Sequence, residues 1–297
     1  EDIIEKTYNR VLNVMINNAY ENYELLFIDD GSKDKTLALI SGFAEKNKKV
    51  KVLSFSRNFG HQAAVTAGIF ECTGDAAIII DADLQDPPEL FPEIIKKWKD
   101  SGANVVYCVR KNREGVGFFK NIAYKAFYRI VNSLSDVDLP LDSGDFRLID
   151  RYVMDGFKSF KEKNKYVRGI ISWMGYNQVP FEYDRPGRQG GETKYSIKKL
   201  LNLASVGMFY FSKKPLKVAL SLGFLSLLVG LGLMIMVFIQ KYQGILETVP
   251  GWASLIITII FFGGVQLITI GVMGEYVGNI FDEVKERPEY LFKKKIN

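Results

Sequence analysis

Hydrophobic and polar positions change rhythm once along this chain. Up to about residue 212, short apolar runs alternate with amphipathic stretches; beyond it the apolar runs are long and almost unbroken. Leu25–Ile28, Val50–Phe55, Ala76–Ile80 and Asn104–Val109 are brief apolar segments closed by polar clusters, the signature of buried strands. YNQVPFEY, residues 176–183, predicts another. Helical spacing appears between them. Ile4, Val11, Leu12, Met15 and Ile16 line one face of the opening segment. Further helices are expected from about Thr36, over Gln62–Cys72, from Pro87–Pro88 to Lys99, over 118–134, and after LPLDSGDFRLID. Strands alternating with helices predict an α/β fold, a Rossmann-like, mostly parallel sheet with helices on both faces. The chain opens on a helix, so a preceding strand is expected outside this sequence.

The second rhythm predicts a membrane anchor. Residues 218–240 carry no Asp, Glu, Lys or Arg over 23 positions. At about 1.5 Å per residue such a helix spans a hydrocarbon core of roughly 30 Å. The second run, Trp252–Phe281, is longer and can tilt or project. Lys213, Lys214 and Lys217 precede the pair, and Lys285, Arg287, Lys293, Lys294 and Lys295 follow it. The linker 241–251 holds only Lys241 and Glu247. Positive charge stays on the cytoplasmic side, which puts the soluble domain and both termini in the cytoplasm at the inner or plasma membrane. Ile197, Leu200, Leu201, Ala204, Met208 and Phe211 recur at helical spacing and predict a juxtamembrane amphipathic helix in the interface. The expected organisation is a catalytic domain over 1–194, a juxtamembrane segment over 195–217, a transmembrane hairpin over 218–281 and a basic cytoplasmic tail over 282–297. Gln266, with Gly263, Gly264, Gly271 and Gly274, would allow close helix packing, including in a homo-oligomer.

Charge and cysteine content narrow the class. The net charge of +5 is modest, and its basic residues flank the spans, which suits anionic headgroups better than nucleic acid. Cys72 and Cys108 form no CxxC and read as ordinary thiols of a reducing compartment. His61 is the only histidine and is assigned a local structural role. Without a cysteine-nucleophile context, a Ser-His-Asp or Cys-His hydrolase is not expected.

The chemistry gathers at strand ends, where open α/β sheets bind ligands. Asp81 and Asp83 stand just past an apolar strand, and two anions this close repel unless a cation lies between them. Their oxygens suit a hard divalent ion, Mg2+ or Mn2+, able also to bind a diphosphate, with Gln85 as a neutral ligand. Asp29–Asp30 close another strand in the same way.

The runs FIDDGSKDKT, SRNFGHQAAVTAG, DADLQDPPEL and SGDFRLID, in this order, resemble the family 2 glycosyltransferases. More closely, the chain is similar to the polyprenyl-phosphate group, which contains dolichyl-phosphate mannose synthases and bactoprenol glucosyltransferases. The resemblance implies a GT-A fold, a nucleotide-diphosphate sugar donor, a metal and inversion at the sugar carbon. By position it implies that Asp29 and Asp30 contact uracil and ribose, and that Arg57 and Asn58 shape the nucleotide pocket. Asp81 would sit against the nucleotide, with Asp83 and Gln85 on the metal. Asp145 would stand near the reacting sugar, with Asp142 as a second candidate.

An acceptor phosphate is already anionic at neutral pH, so it needs positioning cations more than a general base. Lys125 and Arg129, spaced i, i+4, are expected to clamp the lipid phosphate, with Arg147 as a further candidate. Arg185, Arg188 and Lys194 lie in a Gly-rich loop expected to close over the diphosphate. The expected reaction moves a hexose, UDP-glucose being the first donor, to polyprenyl (undecaprenyl) phosphate. GDP-mannose or a modified UDP-sugar is the alternative donor. A processive polysaccharide synthase is a weaker rival, because none of Trp98, Trp173 and Trp252 stands in a QxxRW pattern. A non-enzymatic membrane module would leave the strand-end carboxylates without purpose.

Overall fold

The structure is a computed structural model that describes residues 1, 3–110, 143–163, 165–184, 213–243 and 251–297. They fall into two compact units: one built from residues within 1–110, 143–184 and Glu286–Asn297, the other from 213–285.

The first unit runs α1 (Ile4–Asn17), β1 (Leu25–Asp29), α2 (Thr36–Lys46), β2 (Val50–Phe55), α3 (His61–Glu71), β3 (Ala76–Ile79), a short 3-10 turn at Pro88–Leu90, α4 (Phe91–Ser101) and β4 (Val105–Arg110). It continues with β5 (Ser143–Asp150), α5 (Arg151–Lys158), α6 (Val167–Trp173) and β6 (Gln178–Tyr183), and closes with β7 (Phe292–Ile296). The strands form two sheets, ordered β1-β2-β7 and β3-β5-β4-β6. Among the described residues, β1–β2 and β4–β6 pair in parallel, while β2–β7, β3–β5 and β4–β5 are antiparallel. The fold is α/β, but its sheets are mixed. The two strands that the apolar runs did not announce, β5 and β7, account for every antiparallel pairing.

Helices cover both sides. Ile4 on α1 packs with Ile40, Ala44, Val50 and Val52, whereas Phe55 packs with Ala63 and Ala67 of α3. Farther along α1, Val11, Val14 and Met15 meet Ile94, Val106, Phe146 and Leu148. Ile94, Phe146 and Leu148 are almost wholly buried, and each contributes about 1.5–3 kcal/mol of transfer free energy. Asp150 ends β5 and caps α5: its carboxylate accepts the Val153 N–H (3.0 Å) and the Asn104 side-chain amide (2.7 Å).

Residues 282–297 were expected to be a basic tail. Instead, Glu286–Asn297 belong to the first unit, and β7 lies along β2. Tyr290 stacks on Phe55 at 5.0 Å, Ser56 N–H donates to the Leu291 carbonyl (2.9 Å), and Lys295 meets Glu71 (2.6 Å). The lysines of FKKKI therefore sit on an edge strand, where charge guards against further strand pairing.

The second unit contains α7 (Lys214–Tyr242) and α8 (Trp252–Val284). Within them, Lys214–Gln240 and Thr258–Val284 are each long and apolar enough to cross a membrane. Their large apolar side chains, among them Leu220, Phe224, Phe238, Leu267 and Val277, are exposed. A Cβ on Gly230 would meet the Phe262 ring at 3.4 Å. At Gly263, Gly264, Gly271 and Gly274 a Cβ would meet nothing within 4 Å among the described residues, so these expected packing glycines mark no close approach there. The amphipathic segment expected at 195–217 lies outside the described residues up to 212.

Candidate active site

Strand register builds the site. β3 and β5 run antiparallel with Ile79 opposite Arg147. Extending that register past the paired residues brings Asp81, beyond the end of β3, opposite Asp145, near the start of β5. Two carboxylates are thus placed close together at one end of these strands, an unfavourable arrangement unless cations intervene. The protein supplies a guanidinium and an imidazole, the latter a cation when protonated. His61, the first residue of α3, has Nε2 2.9 Å from Asp145 Oδ2 and Nδ1 3.8 Å from Asp81 Oδ1. Arg168 of α6 donates from Nε to Asp145 Oδ1 (2.6 Å) and from Nη2 to Oδ2 (2.7 Å), a two-pronged grip.

The charges respond accordingly. Burial would raise the Asp145 carboxyl, but the bonds from Arg168 and His61 outweigh it and hold its pKa below the ordinary carboxylate value. The Asp145 bond raises the His61 pKa against the opposing effect of burial, and Asp81 adds to the rise. Asp81 behaves oppositely: burial lifts its pKa, and Asp145, Asp83 and Asp86 lift it further despite His61. Negative charge at Asp81 is under-compensated by the protein.

The DADLQD loop holds Asp83 beside it. Asp83 accepts the Gln85 N–H (3.0 Å), and the Ala82 carbonyl accepts the Thr7 hydroxyl (3.2 Å). Leu84 between them has φ 60°, a left-handed conformation costing roughly 1–2 kcal/mol for a side chain of this kind. Its side chain is buried, and Asp86 anchors the loop end by accepting the Tyr183 hydroxyl. Strain thus persists where surrounding contacts enforce it. Among the described residues, no group of three or more His, Cys, Asp or Glu side chains is assembled as a metal cage. One or two carboxylates suffice for a Mg2+-type ion that takes its remaining ligands from substrate phosphate and water. The half-exposed Asp81, the adjacent Asp83 and their excess negative charge fit such an ion; Gln85 is mostly buried.

A second cluster joins the ends of β1 and β2. Asp29 is 3% exposed, with Oδ1 accepting the Ser32 N–H (3.0 Å) and Oδ2 the Ser54 hydroxyl (2.8 Å). Expected to contact the nucleotide, it instead braces the loop from within. Asp30 is half-buried and accepts the N–H groups of Phe59 (2.6 Å) and Gly60 (3.0 Å). Gly31 lets the two loops touch: its φ is +70°, and a Cβ there would stand 2.4 Å from the Arg57 carbonyl carbon. Gly60, φ 101°, turns the chain into α3 and delivers His61. Arg57 and Asn58 are exposed at this junction, with the Arg57 guanidinium 4.1 Å over the Phe59 ring.

The structure therefore brings Asp81, Asp83, Gln85 and Asp145 to one edge. Arg147 does not face outward there. It is 3% exposed and bonds the Gly144 carbonyl (3.0 Å), and burial lowers its pKa to about 10 despite nearby Asp145. It cannot meet a lipid phosphate from that position. Asp142, Lys125, Arg129, Arg185, Arg188 and Lys194 lie outside the described residues. Sequence reasoning missed Arg168, which no local motif announces, and undervalued His61, although GHQ at a helix start beside an acidic edge was a usable signal.

Comparison with known proteins places this architecture. Residues 1–157 match glycosyl transferase family 2. The chain is 48% identical to the uncharacterized glycosyltransferase YkcC of Bacillus subtilis (strain 168), over 99% of its own length and 90% of that protein. It is 40% identical to the SfII prophage-derived bactoprenol glucosyl transferase of Shigella flexneri, over 99% and 94% respectively. A solved mannosyltransferase, PcManGT from Pyrobaculum calidifontis in complex with GDP-Man and Mn2+, aligns with 92% of this chain and 84% of its own at 16% identity and a TM-score of 0.45. The chain belongs to glycosyltransferase family 2, and within it to the polyprenyl-phosphate glycosyltransferases.

Proposed function

We propose that this protein transfers a hexose, with UDP-glucose as donor, to a polyprenyl phosphate such as undecaprenyl phosphate, with inversion at the sugar carbon. The observation that carries the reading is the approach of Asp81 and Asp145 to the two nitrogens of His61, just past the β3–β5 register, with Asp83 two residues on. The similarity over nearly the whole chain to a protein named a bactoprenol glucosyl transferase supports the lipid acceptor and glucose. The two apolar helices support work at a membrane, and the basic residues that flank them in sequence favour a cytoplasmic first unit and cytoplasmic termini.

Asp30, Arg57, Asn58 and Asp81 bound the nucleotide site, while Asp29 fixes its wall. Asp83 and Asp81, with Gln85 nearby, would hold Mg2+ or Mn2+, which when bound neutralises charge on the departing diphosphate as a Lewis acid. Asp145, kept ionised, cannot donate a proton. It serves as a fixed acceptor for a sugar hydroxyl and favours positive charge developing at the sugar carbon. The acceptor phosphate needs no base of its own. Its cations are Lys125 and Arg129, and Arg185, Arg188 and Lys194 serve the diphosphate.

The test is direct. The full-length protein in detergent is incubated with labelled UDP-glucose, undecaprenyl phosphate and Mg2+, alongside labelled GDP-mannose. Chloroform-soluble label from UDP-glucose that disappears with excess EDTA is expected. Label in a polymer would favour a synthase, label from GDP-mannose alone would replace the donor, and full activity in EDTA would remove the metal.

A further inference from the structure

The segment 165–168 bonds to Glu162, Glu289, Gln62 and Asp145. Lys165, 8% exposed, donates to Glu289 Oε2 (3.0 Å) and to the Glu162 carbonyl (2.8 Å). Val167 N–H donates to Gln62 Oε1 (2.9 Å), tying the start of α6 to the start of α3. Arg168 then grips both oxygens of Asp145. Glu289 belongs to the stretch that leaves α8 and leads into β7, and its neighbour Tyr290 stacks on Phe55. The stretch around Glu289 thus connects to Asp145 through a short series of partly buried contacts. Arg168 and Glu289 both lie beyond the residues that match the family, 1–157.

We propose that Arg168 is a positioning residue for Asp145, and that the segment returning from α8 supports it through the Lys165–Glu289 pair. A lone cation beside Asp145 would settle its charge. A guanidinium fork does more, because two parallel bonds fix the plane of the carboxylate. His61 holds only one of the oxygens, so without Arg168 the carboxylate can turn about that contact. The plane matters when a carboxylate must meet one hydroxyl or one carbon, since displacement by about 1 Å can cost on the order of 10²-fold in rate. The Lys165–Glu289 pair is mostly buried, so removing one partner leaves a charge in a poor environment and releases the segment that carries Arg168. This inference rests on the reading that Asp145 stands at the reacting sugar.

The experiment measures steady-state transfer from UDP-glucose to undecaprenyl phosphate by the full-length protein, per folded molecule counted by titration with UDP. Arg168→Met is expected to lower kcat about 10²-fold, with the donor KM within about 3-fold of wild type. Arg168→Lys restores charge without the fork and should recover only about tenfold of that loss. Glu289→Gln should lower kcat several-fold in the same pattern. If Arg168→Met turns over within about twofold of wild type while Asp145→Asn is inactive, the positioning role is wrong and the site assignment stands. If Asp145→Asn itself is fully active, the assignment beneath the proposal fails with it. Complete rescue by Arg168→Lys would mean charge alone suffices and would also overturn the proposal. Should Arg168→Met not fold, Arg168→Lys and Glu289→Gln decide: wild-type kcat in both refutes it.

Discussion

Replacing His61 by glutamine should change how stability depends on pH, and the size of the change can be worked from the site. His61 bridges Asp145, whose side chain is 9% exposed, and Asp81, at 41%. A hydrogen bond to a charged partner contributes about 1.5–3 kcal/mol. Because the imidazole is itself 46% exposed, solvent screening cuts this to about 1 kcal/mol. The bond to Asp145 raises the folded-state pKa of His61 above its ordinary 6.5. A raised pKa means that the folded state holds the proton more tightly than the unfolded chain does. The stabilisation is therefore complete below about pH 6.5 and is lost as pH rises through the folded value. Glutamine can keep one neutral hydrogen bond but carries no titrating charge. Thermal unfolding of wild type and His61→Gln, from pH 5.5 to 8.5 in one detergent, cancels the titrations that the two proteins share. Wild type should melt about 2–4 °C above the variant at the acid end, and the gap should close toward the alkaline end. A gap that is constant with pH, or that widens as pH rises, would refute the charge-bridging account of His61.

Other expectations follow from the same geometry. Gly31→Ala forces a left-handed alanine, costing about 1–2 kcal/mol, against backbone that has no room to yield. It should lower the melting temperature and weaken UDP binding at least tenfold by calorimetry, and unchanged binding would mean the loop junction does not shape the nucleotide site. Asp83→Ala should abolish transfer while leaving the protein folded, with loss of the Mg2+-dependent increment in UDP affinity; retained activity would move the metal elsewhere. Tyr290→Ala removes the ring stacked on Phe55 and should destabilise the first unit by about 2 kcal/mol, visible as a lower melting temperature. No change would show that the returning chain end is an ornament of the sheet.

The extent to which the site was readable depended on how local each signal was. β1 to β4 were legible because each is a compact apolar run ending in polar residues, and Asp81 and Asp83 could be placed at a strand end from sequence alone. β5 was not read as a strand. Asp145, Phe146, Arg147 and Leu148 do alternate, but Ser143–Gly144 precede them and Ile149 breaks the pattern, so the alternation is too short to stand apart from a loop. That one omission turned a mixed sheet into an expected parallel one and left Arg147 on a surface it does not occupy. β7 was hidden by its lysines, which are as typical of a guarded edge as of a membrane-facing tail. Arg168 sits on a seven-residue helix and meets Asp145 only through tertiary structure. The acidic half of the site was written in consecutive residues; the cationic half is assembled across distant ones.

The anomeric configuration of the product is the most direct test of the central claim. Lipid extracted after reaction with UDP-glucose, whose glucosyl bond is α, can be analysed by proton and phosphorus NMR. The account predicts a glucosyl group on the polyprenyl phosphate with a large trans-diaxial coupling at its anomeric proton, the mark of β linkage and one inversion. An α-linked product, or glucose found free in water with the lipid phosphate unmodified, would contradict it.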